Sequence, residues 1–263
     1  MRNVGGRNKT AADNLSALAR DEGLKLDVLD MDVTLDDSVN AAVEEALAKA
    51  GRIDVIVNNA GATRRGPLEA FSIAEIQDLF NLNAFGPMRV NKAVLPSMRA
   101  RGSGLLLHVS STLGRVLGGG GLYPSTKWAL EGLAESLHHQ LKPWGVESIL
   151  VEPGSYPTPA IVEPPWASGA EITREYQART PPAAPRPHLL KESDNQEVAD
   201  VVKQLIDMPA GTRPLRTVVG SVMTDGVMEY NQFYEVTKDR ARRGMGKIIP
   251  APGLAQQLGA AGD

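Results

Sequence analysis

At 263 residues with 42% hydrophobic content, the chain is long enough to bury a substantial core, and its length asks for no more than one domain. A formal charge of −3 and a pI of about 5.9 give no electrostatic basis for a nucleic-acid or anionic-membrane partner. The absence of cysteine removes disulfides and thiolate metal ligands; His138 and His139 point about 100° apart on a helix and cannot share a metal, so all four histidines are read as structural.

The opening, MRNVGGRNKT, reads as a flexible polar connection into a helix over TAADNLSALARDEG. From Lys25, KLDVLDMDV carries Leu26, Val28 and Val33 among polar neighbours and ends in an Asp-rich turn, a strand pattern. TLDDSVNAAVEEALAKAG follows with an N-cap candidate, acids in the first turn and a closing Gly51, so a helix is expected. The β-branched run in IDVIVNNAG completes a strand–helix–strand unit. The rhythm then repeats: a helix over 73–101, the strand GLLLHVSS, a helix over 123–142, the strand VESILVEPG, the helix NQEVADVVKQLIDM and a last strand near LRTVVG. Apolar strands alternating with amphipathic helices predict an α/β fold built on a parallel sheet covered on both faces. No apolar run reaches the ~20 residues needed to span a bilayer, and the opening lacks the apolar stretch of a signal peptide, so a cytoplasmic location is expected.

Two stretches break the rhythm. Residues 155–193 are rich in proline around a short helical pattern, EITREYQAR, and read either as a ligand-covering loop, which belongs after a strand in open α/β sheets, or as an ordinary surface loop. Residues 221–263 form an extension: KDRARRGMGK reads as a solvated helix face, and the tail APGLAQQLGAAGD as frayed.

The chemistry concentrates in SSTLGRVLGGGGLYPSTKWAL. Tyr123 and Lys127, four apart at a helix start with Pro124 tolerated in the first turn, share one face and can form a proton-transfer pair. A phenol titrates near ~10, so acid–base work at neutral pH needs a shift of roughly three units, which a neighbouring ammonium supplies in part. Ser110 and Ser111 end the preceding strand at its carboxyl edge, where a hydroxyl can donate to a carbonyl oxygen gaining charge. The small residues of NNAG, 58–61, allow a backbone to approach a ligand closely.

These pieces resemble the short-chain dehydrogenase/reductase family: Asp32-Val33, Asn58-Asn59-Ala60-Gly61, Asn83 in NLNAFG, Ser111 in SSTLG, Tyr123-x-x-x-Lys127, and Pro153-Gly154 followed by Thr158, in the family's order. The run NAFGPMRVNKAVLPSMRARGSG is most similar to the branch of 17β-hydroxysteroid and retinol dehydrogenase-like members. The resemblance implies a Rossmann-like doubly wound sheet and interconversion of a carbonyl and an alcohol by hydride transfer from a nicotinamide cofactor. Tyr123 would be the general acid/base, Lys127 would lower its pKa and bind the nicotinamide ribose, Ser111 would polarise the substrate oxygen, and Asn83 would hold a relay water. Ser110 is the rival to Ser111; the family pattern favours the serine three before Gly114, although the interval to Tyr123 is then one residue short. Asp32 and Val33 would lie at the adenine, Asn58, Ala60 and Gly61 beneath it, and Pro153 and Gly154 beside the nicotinamide, with Thr158 also binding the cofactor. Arg2, expected just past a strand, points to the 2′-phosphate of NADP ahead of NAD. The resemblance further implies a homodimer or homotetramer packed through the helices holding Val90 and Leu133.

Family members begin with a strand, a Gly-rich turn and a helix, and then a second strand. VGGRNKT has the glycine spacing of neither a dinucleotide turn nor a P-loop, and GGGG at 118–121 reads as a substrate-side loop. The expectation is therefore an incomplete sheet, lacking the first strand, first helix and most of the second strand, with Met1 a misplaced start. Either the Val28 and Val55 strands pair directly or two strand edges stay open. The competing reading is a catalytically silent remnant or interaction subunit that cannot bind the dinucleotide. A Ser111 hydrolase is disfavoured, having no placed histidine and no G-x-S-x-G elbow. Apolar and proline residues over 153–166 point to a bulky apolar small-molecule substrate.

Overall fold

The computed structural model describes residues 2–6, 9–116, 121–158, 164–180, 194–220 and 224–243. The elements in chain order are β1 (Arg2–Gly6), α1 (Lys9–Asp21), β2 (Leu26–Asp30), α2 (Asp36–Ala50), β3 (Val55–Asn58), α3 (Ile73–Phe80), α4 (Gly86–Arg101), β4 (Gly104–Val109), α5 (Leu122–Leu141), β5 (Val146–Pro153), α6 (Ala170–Arg179), α7 (Asn195–Asp207), β6 (Arg216–Val219) and α8 (Thr224–Arg243). The chain divides into two compact units, Met1–Thr224 and Asp225–Asp263, the second holding nearly all of α8. Within α8, Tyr230 and Tyr234 stack at 6.4 Å and Lys238 pairs with Glu235.

Among the described residues of the first unit, all strand pairs are parallel. Side chains alternate along β4, so Leu106 and His108 face α2, α4 and α5, while Leu105 and Leu107 face α7. On the first face Val39 and Val43 of α2, Val90, Val94 and Met98 of α4, and Leu137 and Leu141 of α5 close the core. On the second, Leu205 and its half-buried neighbours on α7 cover Ile149, Val151 and Val219. This is the doubly wound, Rossmann-like arrangement the sequence implied. Crossovers return tightly where glycine permits: Gly145 holds φ +64°, and a Cβ there would stand 2.2 Å from the Gly102 carbonyl oxygen.

The opening residues require a correction. Arg2–Gly6 is not a flexible connection but a strand, paired in register from Arg2↔Leu26 to Gly6↔Asp30. Val4 is its only strong β-former; the ladder with LDVLD provides the order that local propensity does not. Of the two arrangements anticipated for the sheet, the second occurs. β1 pairs with β2, β3 pairs with β4, and among the described residues no ladder joins β1 to β3. Val57, on the α7 side of β3, is left 41% exposed.

Two local details also depart from the sequence reading. The N-cap position of α2 falls to Leu35, which cannot cap; instead Asp32 accepts from the Thr34 amide and hydroxyl and its own N–H donates to Ser38. The helix expected over 73–101 is interrupted by a single π turn, Asn81–Phe85. That insertion rotates Asn83 inward, the kind of helix irregularity that collects at functional sites.

Candidate active site

The carboxyl ends of β3, β4 and β5 bring most of the expected residues together. Ser111 caps the turn after β4, its Oγ accepting from the Leu113 amide at 3.2 Å and donating to the Pro153 carbonyl at 3.5 Å. It also hydrogen-bonds the phenol of Tyr123, at the first turn of α5. Ser110 faces elsewhere: its buried hydroxyl lies against Gly114, where a Cβ would meet it at 2.8 Å.

Lys127 is 5% exposed; its Nζ donates to the Val109 carbonyl at 2.8 Å and sits 5.7 Å from the centre of the Tyr123 ring. Burial lowers its pKa to about 8 against the opposing pull of Glu131. Burial also raises the Tyr123 phenol above its ordinary value, and the Ser111 hydrogen bond acts against that rise.

Asn83 is fully buried and committed: Nδ2 donates to the Ala62 carbonyl and to Thr126 Oγ1, both at 2.9 Å, and Oδ1 accepts from the Ala62 amide at 3.0 Å. Both its N–H donors are thus occupied, so a water could reach only its remaining oxygen lone pair or main chain. Thr126, which sequence reading missed, links this asparagine to α5 and donates to the Tyr123 carbonyl at 2.7 Å.

The NNAG motif divides into an anchor and an exposed lip. Asn58 donates to Asn91 at 2.9 Å and contacts His108 Nδ1 at 3.3 Å; His108 Nε2 meets Ser148, whose hydroxyl donates to the Ala134 carbonyl. Burial, aided by the Lys127 charge, pushes His108 down to about 3 and keeps it neutral. Ala60 and Gly61 are exposed beyond this anchor, and a Cβ on Gly61 would stand 3.2 Å from Asn83 Oδ1 and 3.9 Å from Lys127 Nζ. The strand pattern alone gave no sign of the His108 network.

The residues expected at the adenine are less free than the sequence suggests. The Asp32 carboxylate is engaged by Thr34, and the Val33 side chain is turned into the core against Gly86. Gly154 donates to Val219 at 2.9 Å, fixing the Pro153-Gly154 corner, and Thr158 is half-buried just beyond. The placement of Arg2 is corrected: it opens β1 at the amino end, opposite the ligand edge, because the strand begins earlier than the sequence reading allowed. The first residue past β1 is Arg7, outside the described residues, as are Gly118 to Gly120 of the GGGG run.

A cavity of about 380 Å3 opens beside Tyr123, walled by Leu113, Leu122, Pro124 and Trp166 with Arg64 and Arg65 at its rim. The Arg65 and Trp166 backbones form a parallel bridge, so the segment following β5 is tied across the mouth. A larger hollow, about 520 Å3, lies among the solvent-facing charges of α7 and touches none of these residues.

Behind the site sits a buried ionic cluster that the sequence reading did not find. Arg216 of β6 donates to Glu131 at 2.9 Å and Glu135 at 2.7 Å and lies 3.4 Å from Glu152, which also faces Arg115 at 3.9 Å. Burial opposes the Arg216 charge, but Glu131 and Glu135 outweigh it and hold the guanidinium protonated. The spacing of Lys127 and Glu131, four apart, was the available signal.

Among the described residues no cluster of histidine and carboxylates could hold a metal, and no helix is long and apolar enough to cross a membrane. For a dinucleotide, the exposed small residues 60–61 fit a close approach of the ligand to the main chain, because little but backbone stands between them and solvent. No described segment carries a Gly-rich strand–turn–helix for the pyrophosphate.

Comparison with known proteins agrees with this geometry. A family model described as short chain dehydrogenase matches residues 3–164. An uncharacterized oxidoreductase of Schizosaccharomyces pombe is 38% identical over 151 residues, 57% of this chain and 63% of that protein, so the chain spans less than two thirds of that relative's length. Human retinol dehydrogenase 8 is 34% identical over 226 residues, 81% of this chain and 68% of that protein. The crystal structure of an alcohol dehydrogenase from the archaeon Thermococcus sibiricus, complexed with 5-hydroxy-NADP, aligns with a TM-score of 0.65 at 26% identity, covering 82% of this chain and 83% of that one. Parallel sheet, serine–tyrosine–lysine grouping and these matches lead to one conclusion: the chain belongs to the short-chain dehydrogenase/reductase family of oxidoreductases.

Proposed function

We propose that this chain belongs to an NADP(H)-dependent oxidoreductase interconverting a carbonyl compound and its alcohol, with Tyr123 as general acid/base. The observation that carries the reading is the grouping of Ser111 and Lys127 around Tyr123 at the carboxyl ends of the strands, with Tyr123 itself lining the adjoining cavity. The dinucleotide, when bound, supplies or accepts the hydride.

The chain's own residues account for the rest. The Ser111 hydroxyl, beside the phenol, is placed to turn from the Pro153 carbonyl and donate to a substrate oxygen that gains charge. The Tyr123 phenol, whose pKa burial raises further, is protonated at neutral pH, the form needed to deliver its proton to that oxygen during carbonyl reduction. Lys127 holds a positive charge beside the ring and has one N–H anchored on Val109, leaving the others to the ribose hydroxyls. Pro153, Gly154 and Thr158 would flank the nicotinamide; Ala60 and Gly61 would pass beneath the adenosine, with Asn58 anchoring that lip from below. Asp32 and Val33 would reach the adenine chiefly through the loop they stabilise. NADP is supported by the archaeal relative holding 5-hydroxy-NADP. Leu113, Leu122, Pro124 and Trp166 favour a bulky apolar substrate.

Calorimetric titration of the folded chain with NADPH, with Lys127→Ala as control, tests the reading, followed by a carbonyl panel monitored through NADPH absorbance. Micromolar binding weakened in the control, with turnover lost in Tyr123→Phe, is the expected result. A folded chain that binds no NADPH would instead support the silent interaction subunit.

A further inference from the structure

We propose that Glu131 is a positioning residue for Lys127: its carboxylate, clamped by Arg216 of β6 one helical turn along α5, is the counter-ion of the Lys127 ammonium. The catalytic consequence rests on the role given to Lys127 above; the pairing itself does not.

Residues four apart on a helix project from the same face. Here Gly114 confirms that shared direction, since a Cβ on it would stand 3.3 Å from both the Lys127 Cβ and the Glu131 Cγ. Glu131 is 1% exposed. Its Oε2 accepts from Arg216 Nε at 2.9 Å, whereas its Oε1 is buried with no hydrogen-bond partner. A buried carboxylate oxygen without a donor is costly unless a positive charge stands near it. The nearby ammonium has one carbonyl partner, Val109. The two charged ends make no direct ion pair, so they act on each other through the field between adjacent turns of α5.

The surroundings leave no better counter-ion. From α5 itself, Tyr123 and Glu135 face this layer; Glu135 lies a further turn away and is bonded to Arg216. Arg115 comes from the turn after β4, and His108 from β4 is neutral. Glu152 comes from β5 and lies against Arg115 and Arg216. β6 contributes Arg216. Three cations thus meet three carboxylates, and the field of Glu131 opposes the effect of burial on Lys127. Arg216 sets the rotamer of Glu131, so the last strand of the sheet fixes the electrostatics of the site edge.

The test follows Lys127 directly. The protein is labelled with 13Cε-lysine, the Lys127 signal is assigned by its loss in Lys127→Arg, and its chemical shift is titrated with pH. In Glu131→Gln the midpoint should fall by roughly one pH unit or more, as expected for loss of an adjacent opposite charge. Glu135→Gln, which also removes a carboxylate from Arg216, should leave it nearly unchanged. A merely structural Glu131 would affect melting in both variants and the Lys127 midpoint in neither. Should Glu131→Gln not fold, Glu131→Asp keeps the charge but withdraws it by one methylene, and its midpoint should also fall. An unmoved midpoint in the folded variant overturns the inference. Movement without any NADPH-dependent turnover would sustain the pairing and count against the proposed function instead.

Discussion

The Lys127 ammonium lies 5.7 Å from the centre of the Tyr123 ring yet donates to the Val109 carbonyl, 2.8 Å away, and not to the phenol. Its relation to the tyrosine is therefore one of position, and the phenol is raised by burial instead of being lowered by Lys127 as the family resemblance implied. That charge has a cost. Burial holds the folded-state pKa at about 8, below the ordinary 10.5, so between those values the unfolded chain keeps a proton that the folded chain has lost. Stability must rise with pH across this window, and below it the folded state carries a penalty of about 3 kcal/mol. Lys127→Met should melt a few degrees higher than the parent at pH 7, the gap closing by pH 10.5, while losing turnover. Thermal melts at the two pH values check this.

Tyr123→Phe should keep the fold and NADPH affinity but lose about 10²- to 10⁴-fold in carbonyl reduction, the usual contribution of a positioned acid. Ser111→Ala removes the hydrogen bond that restrains the rise of the phenol pKa. Its alcohol oxidation should accordingly set in at higher pH than in the parent. An unchanged pH profile would separate Ser111 from Tyr123.

Gly114 is tested by size. A Cβ there meets Ser110 Oγ at 2.8 Å and the stems of Lys127 and Glu131 at 3.3 Å. Gly114→Ala should destabilise by about 1–3 kcal/mol through overpacking and should displace Lys127 enough to weaken NADPH binding. Chemical denaturation and calorimetry measure the two effects separately.

Arg216→Met leaves Glu131 and Glu152 buried with their principal counter-charge gone. Breaking a buried ion pair from one side costs about 3–5 kcal/mol, far more than an exposed pair such as Lys203–Asp207. Equilibrium unfolding of Arg216→Met and Lys203→Met should differ by that margin.

The sequence disclosed the fold where periodicity was strong. LLLHV and SILVEP read as buried strands because almost every side chain in them is covered from both sides. RNVGG did not, since two glycines and one valine carry little strand propensity and its order comes from a ladder 24 residues away. The same shortfall displaced Arg2 to the wrong end of its strand. The Tyr123–Lys127 spacing was visible because a helix repeats every 3.6 residues, but its partners were not. Arg216 reaches Glu131 across 85 positions, and Asn83 reaches Ala62 across 21, contacts that only the closed sheet and the π turn create.

The two separate strand ladders bear on how unfolding can be observed. The three tryptophans sit on α5, in the turn before β5 and on the segment bridged to Arg65, so indole emission reports only the ladder from β3 to β6. Far-ultraviolet dichroism sums over the whole backbone, including α1, β1 and β2. With no main-chain hydrogen bond joining the ladders among the described residues, amide exchange in β1 and β2 should outrun that in β4 and β5, and the dichroic transition should begin at lower denaturant than the fluorescence transition. A midpoint from fluorescence alone would then overstate the resilience of the β1–β2 ladder.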